Sequence, residues 1–306
     1  MAGVLAVAWL LVMVTGSLAV AAPGRHSATA PNPATAPNNA TAPIRAAFYY
    51  PWFPETEHWA TRYAPDLGAY DSGAPAVLSA HVSAARYAGL NAFISSYWGR
   101  TSPTARRLPL LLDAARAQGF HVTAYYEPES NWTPPSSQVL RDDFAALAAL
   151  SGHPGWLRMD GKPVLFVYNT GGEASCAAVS SLVAANAGRF YLNLKVFGGY
   201  LGCATQPDGW HQYGPATEYD QQGTYSATVS PGFFKFNEKA PRLTRNVGRF
   251  KSDLRRQVAS SARWQLVTTF NEWGEGTAVE SAQQWSSTSG RGAYLDALRT
   301  AYGGTG

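Results

Sequence analysis

From residue 44 onward the chain alternates between two hydrophobic rhythms. Short runs of aliphatic and aromatic residues read as buried strands, and between them apolar positions recur with the 3.6-residue period of an amphipathic helix. Strands are predicted at 46–53, 91–98, 121–126, 163–168, 191–197 and 264–270, with weaker short ones at 210–213 and 226–229. Helices are predicted at 77–88 on Leu78, Val82 and Ala85, at 103–118, at 137–150 on Leu140, Phe144 and Leu147, and at 176–187. Two more follow, one carried by Leu243, Val247, Phe250, Leu254 and Val258, the other at 293–302 on Leu295, Leu298 and Tyr302. Gly89 and Gly119 stop the first two helices, as expected where a helix ends in a left-handed residue. Run 163–168 carries no polar side chain before Tyr168, which suits a strand covered on both faces.

Eight strand signals with about seven or eight helices, six of them marked by the spacings above, predict a (β/α)8 TIM barrel, a single α/β catalytic domain spanning 44–306. A doubly wound open sheet is the competing arrangement. No Gly-x-Gly-x-x-Gly follows a strand and no P-loop is present, which removes support from nucleotide-binding versions of either fold.

The first 43 residues follow neither rhythm. Val4 to Val14 is apolar but too short to cross a bilayer comfortably, and Ser17 to Ala22 offers small residues at cleavage spacing, so 1–22 reads as a secretory signal peptide. No Lys or Arg precedes the apolar run, which keeps an uncleaved N-terminal membrane anchor as the alternative. Residues 23–43 form a linker rich in Ala, Pro, Thr and Asn, with nothing to bury. Export would place Cys176 and Cys203, the chain's two cysteines, in an oxidising compartment where a disulfide is expected; two buried free thiols are the alternative.

A net charge of +4 without a dense basic run excludes nucleic acid as the expected partner, and Lys251, Arg255 and Arg256 read as a solvated helix face. No cofactor or metal site is expected, and the chain is taken as a monomer.

The polar chemistry collects where strands end, the place where barrels put their active sites. The strand at 264–270 empties into Asn271, Glu272, Trp273, Gly274 and Glu275. Residues three apart on a continuing strand face opposite ways, but a turn loosened by Gly274 and Gly276 can bring both carboxyls to one cavity. Two carboxylates that close cannot both ionise freely, which gives one proton and one charge for acid/base work. Loop glutamates are more often merely solvated. Other strand ends carry Tyr50 and Trp52, Trp98, Glu127, and His211 with Tyr213, while His58, Trp59 and Asp71 lie in the continuation of the first. Aromatic faces beside carboxylates and imidazoles are what a saccharide needs, so these residues, with Asn271 and Trp273, are the candidate sugar-binding set. His81, on an apolar helix face, reads as structural, and Asp71 before Ser72-Gly73 could equally close a turn.

In order along the chain, Tyr50-Pro51-Trp52, His58-Trp59, Tyr70-Asp71-Ser72, Ser96-Tyr97-Trp98-Gly99, Glu127-Pro128, Val229-Ser230-Pro231-Gly232 and Phe270-Asn271-Glu272-Trp273-Gly274-Glu275-Gly276-Thr277 resemble glycoside hydrolase family 99, the family of endo-α-1,2-mannosidases and endo-α-1,2-mannanases. The resemblance implies a (β/α)8 barrel that cuts α-mannosidic linkages inside an oligo- or polysaccharide, with retention and without metal. It also implies roles. Glu272 would draw the proton from the sugar 2-hydroxyl, so that a 1,2-anhydro sugar forms, and Glu275 would protonate the leaving oxygen and later activate water. Glu127 would hold sugar hydroxyls and Trp98 would line the pocket. The chain departs from the family in having Gly274 where a His is usual and Tyr97 where a Trp is usual. A related glycosidase with another sugar specificity and a non-catalytic carbohydrate binder on a decayed barrel are the two alternative readings; retention of both glutamates argues against the latter.

Overall fold

Alternate residues of each strand go to two different cores in the computed structural model, which describes residues 42–54, 60–128, 135–168 and 174–304. Ala46, Phe48, Ile94, Tyr125, Phe166 and Leu266 pack on one another inside a barrel. Their neighbours Ala47, Tyr49, Phe93, Ala124, Leu165 and Val267 face outward and pack under helices. The period of two along a strand thus serves two layers at once, and this is why the strands read as continuous apolar runs instead of alternating ones.

The parallel strands are β1 (Ile44–Tyr49), β2 (Ala92–Tyr97), β3 (His121–Tyr126), β5 (Lys162–Val167), β6 (Tyr191–Lys195), β7 (Gly209–His211), β9 (Ser226–Val229) and β10 (Trp264–Val267). They pair in chain order from β1 to β7, and β9 pairs with β10, which returns to β1 in parallel register, Ile44 opposite Trp264. Between β7 and β9 a side chain bridges the seam, with the Thr228 hydroxyl donating to the carbonyl of Gln212 at 2.7 Å. The result is a near-closed eight-stranded barrel. Two short antiparallel strands not foreseen from the sequence, β4 (Arg158–Met159) and β8 (Tyr219–Gln222), add to β5 and β9.

Six α-helices stand among the described residues, fewer than the seven or eight expected: α1 (Pro75–Tyr87), α2 (Pro103–Ala117), α3 (Ser137–Leu150), α4 (Cys176–Asn186), α5 (Val247–Ala259) and α6 (Ala293–Tyr302). β6 reaches β7 through a single 3-10 turn at Tyr200–Gly202, and β8 occupies the chain between β7 and β9, so neither crossover carries an α-helix. Four helices begin on a side-chain cap, Ser102, Ser136, Ser175 and Asn246, each accepting from a backbone amide of the first turn. The Asn246 cap corrects one boundary. Leu243 keeps helical spacing with the residues of α5, but it lies before the cap, and its carbonyl accepts from Phe233 in a loop.

Cys176 and Cys203 form a disulfide across Cα atoms 5.2 Å apart, tying the first turn of α4 to the segment beyond β6. No described helix is long and apolar enough to cross a membrane. The expected signal peptide, and the linker up to residue 41, fall outside the described residues.

Candidate active site

Two strand ends build the site by leaving the ladder. β1 stops at Tyr49 and β10 at Val267, both earlier than the predicted 53 and 270, because Pro51 lacks an amide to donate and Thr269 N turns from the neighbouring strand to the Thr277 carbonyl of the following turn. An amide clasp joins the two departing segments. Tyr50 N donates to Asn271 Oδ1 at 2.8 Å, and Asn271 Nδ2 donates to the Tyr50 carbonyl at 3.0 Å. Asn271 is fully buried, so it frames the site and does not touch what enters it.

The turn that follows folds onto its own carboxylate. Glu272 N donates to Thr269 Oγ1 at 2.8 Å, and Glu275 N donates to Glu272 Oε1 at 3.1 Å. Gly276 makes the geometry possible. It has φ of 66°, and a Cβ there would stand 2.7 Å from the carbonyl oxygen of Phe234. Glu272 and Glu275 both border a cleft of about 330 Å³ at the carboxyl end of the barrel, lined also by Tyr50, Trp52, Glu127, Tyr168 and Tyr213. The segment 235–236 contributes Lys235 and Phe236. A chain of hydroxyls ends on the second acid: Tyr50 OH donates to Tyr213 OH at 2.9 Å, which donates to Glu275 Oε2 at 3.4 Å. Lys235 Nζ lies 3.3 Å from Glu275 Oε1.

Burial decides the charges. It pushes Glu272 up from 4.5 to about 8, helped by the charge of Glu275 and opposed by the amides of Glu275 and Gly274 and by Lys235. Burial also raises Glu275, but Lys235 and the Tyr213 hydroxyl pull it back. Both carboxyls are thus raised by burial, and Lys235 and the Tyr213 hydroxyl stand beside Glu275 to oppose the rise there. Tyr50 and Tyr213 are held well above 10, first by burial, and act as neutral donors.

A barrel whose carboxyl end holds a deep acidic pair among aromatic walls is suited to breaking a glycosidic bond. The family model of Glycosyl hydrolase family 99 matches residues 43–233, well over half the chain. The chain belongs to that family. It is therefore a glycoside hydrolase, and the carboxylate turn lies beyond the matched stretch, after α5 and β10. The family 99 chain is similar in fold to the GH99 endo-alpha-mannosidase from Bacteroides thetaiotaomicron, with a TM-score of 0.68 at 22% identity over 84% of this chain and 95% of that one. It is similar to a structure described as a glycoside hydrolase-like protein, with a TM-score of 0.62 at 18% identity over 85% and 93% of the two chains. GH5_18 from Streptomyces cattleya, in complex with Manb1-4GlcNAc, shares the fold at a TM-score of 0.54 and 11% identity, over 85% and 80%.

Not every residue expected at the site of this family 99 protein borders the cleft. Trp273 is fully buried on the far side of the turn, where its Nε1 lies 3.2 Å from both the Tyr70 hydroxyl and Glu280 Oε2, and its ring stacks on Trp285. It anchors the turn and offers no face to a sugar. His211 lies inside the barrel between Asn193 Oδ1 at 3.1 Å and the Tyr125 hydroxyl at 3.0 Å, and burial lowers it well below 6.5, so it is neutral. Asp71 is exposed and accepts from Gly73 N at 2.7 Å, which is the turn-closing role. Trp98 stands in a second row, its ring 5.2 Å from that of Trp52. His58 and Trp59 lie outside the described residues. His81 is structural, with both ring nitrogens engaged, Nδ1 to Tyr49 and Nε2 to Glu280.

The sequence did not point to Lys235 and Phe236 as neighbours of the acid, nor to Glu280 as the buried anchor under Trp273, whereas Tyr168, at a predicted strand end, does line the cleft. Tyr168 closes a strand and was legible on that ground. Lys235 sits in the run Phe233-Phe234-Lys235-Phe236, a lysine set among aromatics that would be unusual for a solvated loop.

Proposed function

We propose that this glycoside hydrolase is a secreted, retaining, endo-acting enzyme on α-mannosides. The observation that carries the reading is the pairing of Glu272 and Glu275 on one hydrogen-bonded turn at the mouth of the cleft. In the first step Glu272 takes the proton of the 2-hydroxyl, O2 bonds to C1, the C1 to leaving-oxygen bond breaks, and Glu275 gives that oxygen its proton. In the second, water gives a proton to Glu275 and bonds to C1, the C1–O2 bond breaks, and Glu272 returns its proton to O2. Each acid is restored and the configuration at C1 is retained.

The scheme requires one proton shared by the pair, on Glu275 at the moment of attack. Burial of both groups supplies the single proton. A sugar hydroxyl donating to Glu272 favours its ionised form and moves that proton to Glu275. Tyr50, Trp52 and Tyr168 supply ring faces, and Glu127 stands where it can accept from sugar hydroxyls. The Cys176–Cys203 disulfide and the signal-like N-terminus support export.

Gly274 favours a second reading of specificity. A Cβ at this position would lie 3.0 Å from Glu272 Oε1, so the glycine leaves room against the base that a side chain would fill. A related sugar with a bulkier group near O2 is the substrate class this space admits.

The test is incubation with α-mannans and a wider glycan panel, with product mass for the cut site and NMR for the first-formed anomer. Shortened oligosaccharides of retained configuration are expected from the parent and not from Glu275→Gln. An inverted product, or equal activity in that variant, overturns the assignment.

A further inference from the structure

Lys235 occupies a place that a solvated loop lysine would not hold. The backbone on both sides of it is bonded to the acidic turn, Phe234 N to the Glu275 carbonyl at 2.9 Å and Phe236 N to the Gly274 carbonyl at 3.0 Å. Its own carbonyl accepts from Arg62 Nε at 3.1 Å, and the same guanidinium lies 4.0 Å over the Phe234 ring. The turn is held from the other side by Arg245, which donates to the carbonyls of Gly276 and Ala278 at 2.8 and 2.7 Å from beneath Trp285. Lys235 and Glu275 are thus mounted on two segments laced to each other, which holds the lysine within reach of the acid at 3.3 Å. Both side chains are partly exposed, at 37% and 24%, so the pair adds little to stability. Its value must lie in chemistry.

Glu275 is asked for opposite things in the two steps of the reaction proposed above. It must give a proton to the leaving oxygen and then accept one from water. A carboxyl raised by its partly buried place beside Glu272 holds its proton too firmly for the first task and is too seldom ionised for the second. The other groups facing it are the Tyr213 hydroxyl and Arg242 at longer range, and Glu127 borders the same cleft. We propose that Lys235 is a positioning residue that eases proton release from Glu275 and keeps its ionised form available to activate water. The inference rests on the reading of Glu275 as acid and base.

A glycosyl fluoride separates the two steps, because fluoride leaves without a proton from Glu275. With such a substrate, Lys235→Met slows water attack, so kcat and KM fall together by roughly tenfold while kcat/KM changes little. With a natural α-mannan, the alkaline limb of kcat/KM moves to higher pH by about one unit, since the acid keeps its proton longer. Lys235→Arg restores both, and Lys235→Gln behaves as the Met variant. Unchanged kcat, KM and pH limb in both neutral variants, or a rise in KM alone, overturns the proposal. Absence of activity in the parent sinks the mannosidase reading instead, and a parent that acts with inversion sinks the two-step scheme.

Discussion

Replacing Glu272 by Gln should make the protein inactive and, above neutral pH, more stable. The carboxyl of Glu272 is buried at 5% exposure and carried from 4.5 to about 8. The folded state therefore holds a proton that the unfolded chain gives up near pH 4.5, and the parent loses stability as pH rises through that window until the group ionises in both states. At about 1.4 kcal/mol per pH unit the ceiling is on the order of 5 kcal/mol. Water entry and relaxation of the turn reduce this to roughly 2 kcal/mol of expected gain. Glutamine is neutral at every pH, and its Oε1 can still accept from Glu275 N, so the variant escapes the loss without losing the turn. Thermal unfolding of parent and variant, followed by circular dichroism from about pH 5 to pH 9, should show melting points that coincide at the acid end and separate by roughly 4–8 °C at the alkaline end. A gap that stays flat across the range, or one that widens toward acid, would refute the claim that the cleft forces a proton onto Glu272.

Three further outcomes are expected. Tyr213→Phe removes the donor to Glu275 Oε2 and should lower kcat/KM on mannan about tenfold, and because the buried Tyr50 hydroxyl loses its acceptor the melting point should fall by roughly 2–6 °C. Glu280→Gln strikes the buried acid shared by Tyr70, His81 and Trp273, and a urea titration should find it destabilised by roughly 1–3 kcal/mol. Joint replacement of Cys176 and Cys203 by Ser opens the loop their bond closes, and the loss of stability should be on the order of 3–4 kcal/mol, matched by treating the parent with reductant.

The barrel was legible because its signals are local. Strands covered on both faces leave unbroken apolar runs such as 163–168, and helices that press one face on the sheet leave a 3.6-residue period such as Leu140, Phe144 and Leu147. What was misplaced belongs to segments without a period. β8 carries Tyr219-Asp220-Gln221-Gln222, a polar string made a strand only by pairing with β9. Leu243 kept the rhythm of α5 by coincidence of spacing, and only the Asn246 cap showed where the helix starts.

The amino-acid order by itself determined the class of fold, the meeting place of the chemistry at the strand ends, and the two glutamates held three residues apart. It could do so because strand and helix periods, glycine in a turn, and a carboxylate after an apolar run are properties of neighbours in the chain. Which aromatics face the cleft was decided by tertiary structure alone. Trp273 and Trp52 are alike as residues, yet one is folded under the turn by Glu280 and Tyr70 while the other borders the cleft. The surroundings of the acidic pair were decided the same way, because Lys235 reaches Glu275 across a gap of forty positions in sequence and 3.3 Å in space. A proton's preference depends on distance and burial, and neither is defined until the chain has closed on itself.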